Sequence, residues 1–219
     1  MLFTKRLLRE MLQAALSAVD EQLAMLNQLD AATGDGDHGT AILAAMKAAV
    51  SVVQNDGAPD KETQNQETLK ETLEKIGWEI MSKTSGSTST LMGSFFIGMS
   101  QSVSGEELDS IQTAMMFESG LANVRTSSRA VVGDKTLMDA LIPAIGAMSA
   151  LKERSPSLAE LFAAAADAAQ QGADSTKDLA AKFGRAKNLG ERSRGTLDAG
   201  AVSTALIYRA YSETVKREK

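Results

Sequence analysis

The chain has 219 residues and no cysteine, and its 23 basic and 28 acidic residues give a formal net charge of −5. Without cysteine, disulfides and thiolate metal sites are excluded, and the acidic balance argues against nucleic acid as the main partner. No apolar run approaches the ~20 residues of a membrane span, and the N-terminal "MLFTKRLLREML" lacks the apolar core of a signal peptide. We expect a cytoplasmic protein with one domain, residues 1–219, and no membrane partner.

Helical periodicity dominates the sequence. Apolar residues recur at steps of three and four from Leu8 to Leu26, and again from Leu69 to Ile80. The first of these helices is expected to span about residues 4–29. Other helices are predicted at about residues 40–54, 89–102, 136–152 and 199–216.

Two capping-box patterns predict two further helix starts. Ser104 with Glu107 precedes "LDSIQTAMM", and Ser157 with Glu160 precedes "LFAAAADAAQ". These two helices bring the expected number to eight. Clusters of β-branched residues are limited to the short "VSVV" and "AVV", so the predicted fold class is all-α, as one helical bundle.

Glycine and polar residues concentrate in four loops between the predicted helices. The first loop is "TGDGDHGT" (residues 33–40), the second "KTSGSTST" (83–90), the third "VVGDKT" (131–136) and the fourth "GRAKNLGERSRGTLDAG" (184–200). Alternate loops of an up-and-down bundle fall at the same end. Four elaborate loops alternating with plain connections therefore predict one functional rim.

The first loop and the helix end before it hold three aspartates, Asp30, Asp35 and Asp37. Carboxylates this close repel one another unless a cation lies among them, and Mg²⁺ prefers such oxygen ligands, which it shares with substrate phosphates. In the alternative interpretation, Asp35 or Asp37 only caps the next helix. An EF-hand is excluded, because no 12-residue ligand series ending in a glutamate follows.

His38 and the second loop each allow two interpretations. His38, the only histidine of the chain, either bonds a nearby carbonyl or donates to a phosphate or orients a metal ligand. The Ser/Thr/Gly-rich second loop leads into an apolar helix, so it is either an anion site at a helix N-terminus or a plain capped loop. The spacing of a P-loop is absent from the sequence.

The third and fourth loops also carry charged residues. In the third, Thr136 is expected to cap the helix, Asp134 to complement its dipole and Lys135 to be solvated. In the fourth, arginines including Arg185 suit phosphate recognition, although such a run of charges is often only a solvent-exposed surface.

The ordered set "GDGDHGT", "GDKTLMDALIPA" and "GRAKNLGERSRGTLDAGA" resembles the nucleotide-binding L subunit of bacterial dihydroxyacetone kinase. The same unit forms the C-terminal domain of single-chain ATP-dependent dihydroxyacetone kinases. The resemblance spans essentially the whole chain. It implies a closed antiparallel bundle of eight helices, with ADP or ATP in the loops at one end and two Mg²⁺ between protein and phosphates.

The resemblance also assigns roles to residues. It implies that the metal ligands are Asp30, Asp35 and Asp37, and that Arg185 and His38 act in catalysis. The nucleotide contacts it implies are His38, Gly39, Ser87, Thr88, Thr136, Leu137, Arg185, Asp198 and Gly200.

The chain departs from the family pattern at several nucleotide-facing positions. Ala41 stands where an asparagine is usual, Ser128 where a glycine is usual, and Ala199 replaces the proline of "DPG". The second loop reads Ser85 to Ser89 as "SGSTS", where "GG-x-S-G" is expected. The metal ligands are intact, whereas the loops that face the nucleotide are altered.

The resemblance further implies partners. A separate K subunit holds dihydroxyacetone and supplies the acceptor chemistry, so the chain is expected to be inactive alone. The phosphate donor is either a phosphoenolpyruvate-dependent phosphocarrier M subunit, which we favour for a stand-alone chain, or free ATP. Alternatives are a kinase subunit for another short ketose, such as a tetrose, or a non-catalytic nucleotide-loaded module that binds a transcriptional regulator.

Overall fold

The chain is built almost entirely of helices in a computed structural model that describes residues 1–55 and 67–218. The α-helices of the described residues are α1 (Lys5–Glu21), α2 (Leu23–Ala31), α3 (His38–Asn55), α4 (Leu69–Lys83), α5 (Ser87–Ser100), α6 (Ser110–Ser127), α7 (Met138–Leu151), α8 (Leu158–Ser175) and α9 (Ala199–Arg217). Short 3-10 helices span Lys152–Arg154, Thr176–Asp178 and Arg185–Ser193, and two strands, β1 (Phe3–Thr4) and β2 (Glu107–Leu108), pair antiparallel. The predicted all-α class is confirmed.

Eight of these helices close into a ring. From α3 to α9 each helix packs against the next in the sequence, α9 packs against α1, and α1 packs against α3. Helix α2 lies beside this ring, against α3. The contact between α4 and α5 is so close that a Cβ on Gly77 would lie 2.6 Å from the carbonyl oxygen of Gly93, which requires glycine there. The expected closed bundle of eight helices is therefore present, with α2 in addition.

The first predicted helix is divided in two. The backbone leaves helical geometry at Gln22, with φ −105° and ψ 11°, and the chain continues as α2. The sequence around Gln22 contains no glycine or proline, so periodicity alone predicted one continuous helix over residues 4–29. Because of this break, α2, which ends just before the first loop, packs against α3.

One predicted capping box is confirmed and the other is wrong. Ser157 Oγ accepts from the Glu160 amide at 3.2 Å, and the Glu160 carboxylate accepts from the Ser157 amide at 2.8 Å. The box at Ser104 does not form, because Glu107 and Leu108 pair with β1 as a strand. Helix α6 starts later, after a box in which Asp109 caps the Gln112 amide at 2.8 Å.

The interior of the ring is filled by apolar and aromatic side chains. Phe117 lies among them, with ring centroids 5.9 Å from Phe95 and 5.5 Å from Phe162 in edge-to-face geometry. Such pairs stabilise a core beyond the area that they bury. Among the helices of residues 1–55 and 67–218, none has the length and apolar character that a membrane crossing requires.

Candidate functional site

A cleft of about 600 Å³ opens at one end of the ring, and all four polar loops contribute to its wall. The first residues of four helices, α3, α5, α7 and α9, line it. Each helix N-terminus carries the positive end of a dipole, and the first amides of α5 have no side-chain cap. The four loops therefore meet at one rim, as the sequence predicted, and the helix dipoles give that rim a positive potential beside its aspartates.

The three aspartates of the first loop meet at one edge of the cleft. One carboxylate oxygen from each of Asp30, Asp35 and Asp37 lies within 4.8 Å of the other two. Asp35 and Asp37 are exposed and Asp30 is half-buried. Three converging carboxylates form the oxygen-rich, negatively charged environment that a hard divalent cation prefers.

Asp30 also builds the loop that holds the other two carboxylates. Its Oδ2 accepts from the backbone amides of Gly36 at 2.9 Å, Asp37 at 3.0 Å and His38 at 3.4 Å. The start of α3 is therefore bonded by Asp30, not by the Asp35 or Asp37 side chain that the alternative interpretation proposed. Asp30 combines a structural role with a position among the possible metal ligands.

Arg185 lies across the cleft edge from the aspartates. Its guanidinium contacts the Asp35 carboxylate and lies 4.0 Å from Asp37 Oδ1, with 63% of the side chain exposed. The fourth loop thus reaches the first loop from the far end of the sequence. A cation of fixed charge next to possible metal ligands is suited to an anionic ligand that bridges both.

His38 is half-buried between the cleft and the helix behind it. Its Nε2 lies 2.9 Å from Ser203 Oγ on α9. Burial lowers the pKa of His38, and the carboxylates of Asp30 and Asp37 oppose that shift. A lowered pKa favours the neutral imidazole at neutral pH, so His38 is suited to hydrogen bonding more than to charge neutralisation.

The second loop leaves the start of α5 open. The helix begins at Ser87, after Gly86 in a left-handed conformation (φ 94°), and no side chain caps its first amides. Ser87 is exposed and Thr88 half-buried, and both line the cleft. Uncapped amides and hydroxyls at a helix N-terminus can bind an anion.

Two aspartates, Asp134 within the third loop and Asp139 on α7, bond the backbone of this loop. Asp139 accepts from the amide of Gly133 at 2.6 Å and from that of Thr136 at 2.7 Å. Asp134 accepts from the Val131 amide at 2.8 Å and forms an ion pair with Lys182 at 2.9 Å. This network fixes the turn that brings Thr136 to the cleft wall.

The expectation that Lys135 is solvated is wrong. Its side chain lines the floor of the cleft but is only 3% exposed, and its ammonium donates to the carbonyl oxygens of Thr176 and Thr196. Burial lowers the pKa of Lys135, and the nearby carboxylates of Asp198 and Asp139 oppose that shift. Backbone carbonyl oxygens and carboxylates thus surround the buried amine of Lys135.

Asp198 and Gly200 begin α9 at the cleft. Asp198 Oδ1 accepts from the Ala201 amide at 2.7 Å and caps the helix. Burial raises the pKa of the Asp198 carboxyl to about 6, with the Asp139 carboxylate acting in the same direction. Gly200 lines the cleft beside it.

Gly39 is the one expected nucleotide contact that does not line the cleft. It faces α2, where a Cβ would lie 2.6 Å from the carbonyl oxygen of Leu23. Its glycine identity is thus explained by helix packing. The other expected contacts all line the cleft: His38, Ser87, Thr88, Thr136, Leu137, Arg185, Asp198 and Gly200.

The residues that depart from the family pattern line the same cleft. Ala41, Ser128 and Ala199 all belong to its wall, as do Ser85 and Ser87 of the second loop. The expected departures from the family pattern at these positions therefore lie in the wall of the cleft.

Behind the cleft lies a smaller apolar cavity of about 80 Å³, which shares His38, Thr88 and Leu137 with the cleft wall. Burial raises the pKa of Tyr208 and Tyr211, which line it. Such a water-poor floor strengthens the electrostatic interactions made above it.

Two residues of the site were not expected from the sequence. Ser203, which bonds His38, lies one turn after Gly200 on α9, and that helical spacing was a usable signal. Lys135 offered no such signal, because its bonding partners are backbone carbonyls distant in the sequence.

The sequence matches the family described as "Dak2: DAK2 domain" over residues 32–213. It is 32% identical over 199 residues to a Listeria innocua protein named "PEP-dependent dihydroxyacetone kinase 1, ADP-binding subunit DhaL", across 90% of this chain and 89% of the relative. It is 35% identical over 214 residues to the L-erythrulose kinase of Pectobacterium atrosepticum, across 94% of this chain and 34% of that protein.

A solved structure shares the fold. The crystal structure of the dihydroxyacetone kinase from C. freundii in complex with AMP-PNP and Mg²⁺ matches with a TM-score of 0.70 and 25% identity, over 97% of this chain and 34% of that one. The chain therefore spans about a third of the length of that kinase and of the erythrulose kinase.

Proposed function

The chain belongs to the DAK2 domain family, and from this premise we propose that it is the nucleotide-binding subunit of a dihydroxyacetone kinase. In this function it holds ADP or ATP with Mg²⁺ and passes a phosphoryl group to a short ketose, dihydroxyacetone, on a separate K subunit. The relative from Listeria innocua, which is similar over nearly its whole length, is named as an ADP-binding subunit of such a kinase.

The observation that carries this proposal is the division of charge within one cleft. Three carboxylates converge at one edge, and four helix N-termini with Arg185 supply positive potential around the rest. A metal–phosphate ligand needs both features, because the cation requires oxygen ligands and the phosphates require amides and cations. A helical bundle without a ligand requires neither the converging carboxylates nor the positive potential.

The residues fit a magnesium–nucleotide complex. Asp30, Asp35 and Asp37 would hold the metal, for which we propose two ions by analogy with two-metal phosphoryl-transfer sites. When bound, magnesium neutralises charge on the phosphate oxygens. The chain itself would bind the phosphates through the first amides of α5 and the guanidinium of Arg185, and would position them with His38.

Two described groups of the cleft could act as a base for the sugar hydroxyl, and both are already engaged. His38 is the only histidine of the chain, and its Nε2 bonds Ser203, while the Asp198 carboxyl, whose pKa burial raises to about 6, caps α9. Phosphoryl transfer depends mainly on positioning and charge neutralisation, so a subunit without a base can still deliver the phosphoryl group. We infer that the K subunit activates the acceptor and that the chain is inactive alone.

For the phosphate donor we favour phosphoenolpyruvate over free ATP. In this version ADP stays bound and a phosphocarrier M subunit rephosphorylates it, as the name of the Listeria innocua relative suggests for that protein. Quantifying the nucleotide released on denaturing the purified protein distinguishes the two donors. About one ADP per chain supports the bound-cofactor version, whereas no released nucleotide and binding of added ATP only with Mg²⁺ supports exchange.

The activity is tested by reconstitution. Purified chain, a dihydroxyacetone-binding K subunit and either ATP or a phosphoenolpyruvate-fed M subunit should together yield dihydroxyacetone phosphate. Omitting the chain or introducing Asp35→Asn should abolish the product. If nucleotide-loaded chain never supports transfer, a non-catalytic module that docks on a transcriptional regulator becomes the better assignment.

A second candidate substrate is a four-carbon ketose. The observation that favours it is the 35% identity to an L-erythrulose kinase over 94% of this chain. Replacing dihydroxyacetone by L-erythrulose in the same reconstitution, with a K subunit from each kind of kinase, measures the preference. A rate that follows the K subunit would assign sugar choice to that partner.

A further inference from the structure

Lys135 combines two features that are unusual for a lysine in a loop. It is only 3% exposed, and its backbone has a left-handed conformation with φ 59°. A buried ammonium is unfavourable unless it is fully hydrogen-bonded, and a left-handed backbone is unfavourable for a residue with a Cβ. Such unfavourable features persist only where the surrounding structure holds them in place, which it often does at functional sites.

The bonds of the Lys135 ammonium join two points of the chain that flank Arg185 of the fourth loop. It donates to the carbonyl oxygen of Thr176 at 2.5 Å, before that loop, and to that of Thr196, near its end. Two more bonds join the same two segments, residues 176–177 and 195–198, which form the base of the fourth loop. The Gly195 amide donates to the Lys177 carbonyl at 2.8 Å, and the Asp198 amide donates to Thr176 Oγ1 at 2.9 Å. Lys135 lies at the centre of this base.

The loop held by this base places Arg185 at the edge of the cleft where the three aspartates lie. Arg185 contacts Asp35, but its side chain is exposed and makes no further ion pair beyond the two aspartates in the described part of the chain. A salt bridge between exposed groups holds its partners only weakly. The position of Arg185 therefore depends on the bonds that hold the loop on either side of it, at its base and at Lys182, whose amide donates to the carbonyl oxygen of Asp134, next to Lys135, at 3.1 Å.

We propose that Lys135 is a positioning residue of the nucleotide site, whose ammonium clamps the base of the fourth loop and thereby sets the reach of Arg185 over Asp35 and Asp37. The inference about nucleotide affinity rests on the proposed function, whereas the clamp itself does not. The clamp acts through backbone carbonyls, so it needs the positive charge and donor geometry of the ammonium, and not only its volume.

The clamp is tested first without any nucleotide. In Lys135→Met, hydrogen exchange at the amides of Lys182 and Gly195 should accelerate at least about tenfold, while the core amides of α1 and α8 keep their protection. Lys187→Met, the same change at an exposed position within the fourth loop, should leave these rates unchanged. Equal acceleration everywhere, or none in the fourth loop, would overturn the proposal.

The absence of cysteine allows a matched rescue experiment. The single cysteine of Lys135→Cys is alkylated in the unfolded chain, which is then refolded. An aminoethyl reagent gives a cationic side chain as long as lysine, and a propyl reagent gives a neutral side chain of the same length. The aminoethyl form should restore slow exchange and the Kd for ADP with Mg²⁺, whereas the propyl form should match Lys135→Met, with Kd raised about tenfold. If both forms behave alike, the ammonium is not the clamp.

A second variant covers the case in which changes at Lys135 prevent folding. Thr176→Val keeps the shape and the carbonyl oxygen that Lys135 binds, but removes the hydroxyl that accepts from the Asp198 amide. It should therefore accelerate exchange in the same loop by much less than tenfold, and a tenfold or larger acceleration would contradict the clamp, because the bond from the ammonium is retained. If the wild-type protein binds no nucleotide while the exchange pattern holds, the proposed function fails and the clamp stands.

Discussion

The second and third loops line the same cleft but use their polar residues in opposite ways. In the second loop Ser85, Gly86 and Ser87 are exposed, and the helix that follows has no side-chain cap. In the third loop Asp134 and Lys135 are buried, and their charged groups are bonded within the protein. Both loops looked alike in the sequence, as polar turns before apolar helices.

The difference indicates which polar groups are available to a ligand. Groups that already have partners, such as the carboxylate of Asp139, fix the shape of the cleft and cannot easily exchange those partners. Groups without partners, such as the first amides of α5, keep their capacity for a ligand. Variants in the third loop should therefore affect folding, and variants in the second loop should affect binding.

The largest effect on folding is expected for Asp139→Ala. It removes the buried carboxylate that accepts from two half-buried amides of the third loop, at Gly133 and Thr136, and donors that lose their partner away from water are unfavourable. We expect a loss of about 3 kcal/mol in the free energy of unfolding, measured by urea denaturation. Asp167→Ala, at an exposed position on α8, is the matched control and should change little. A loss below about 1 kcal/mol would show that the third loop does not depend on this network.

An intermediate and pH-dependent effect is expected for Asp198→Asn. Burial raises the pKa of this carboxyl to about 6, so its protonation stabilises the folded state below its unfolded pKa, and that contribution is lost as pH rises through 6. Asparagine stays neutral and can still cap α9. The variant should be more stable than wild type by about 2 kcal/mol at pH 7.5, and the gap should close towards pH 4.

Melting temperatures of both proteins across this pH range, without nucleotide, measure that gap. A difference that is constant with pH would show that the Asp198 carboxyl does not titrate as its burial implies.

The smallest effect is expected for Ser87→Ala, and it should appear in binding alone. The hydroxyl is exposed at the open start of α5, so folding should change by less than about 0.5 kcal/mol. Loss of one hydrogen bond to a phosphate should weaken ADP binding with Mg²⁺ about fivefold, measured by titration calorimetry. Ser82→Ala, on α4, is the control. A large loss of stability at Ser87 would remove the distinction between the two loops.

Local sequence patterns predicted those parts of the molecule that depend on neighbours in the chain. Periodicity located the helices, and the density of aspartates around Asp35 located the possible metal site. The box at Ser104 misled because Glu107 pairs with a strand at the N-terminus, and that contact has no local signal. The burial of Lys135 was missed for the same reason, since its partners are backbone atoms at Thr176 and Thr196.

The resemblance to a known family supplied what the local patterns left open. It associated Arg185 with the nucleotide site, and the structure brings its guanidinium to the Asp35 carboxylate. It also included Gly39, which the structure assigns to helix packing.

The central claim, a cleft that binds nucleotide through a metal held by three aspartates, is tested most directly on protein first stripped of any nucleotide it carries, by its melting temperature with ADP, Mg²⁺ or both. Wild type should be stabilised clearly only when both are present, because the bound complex favours the folded state. Asp35→Asn should lose this response without a lower melting temperature of its own, since it relieves repulsion among carboxylates. Asp20→Asn, exposed on α1, should respond like wild type. A wild-type protein indifferent to ADP with Mg²⁺, or an Asp35→Asn variant that keeps the full response, would contradict the account.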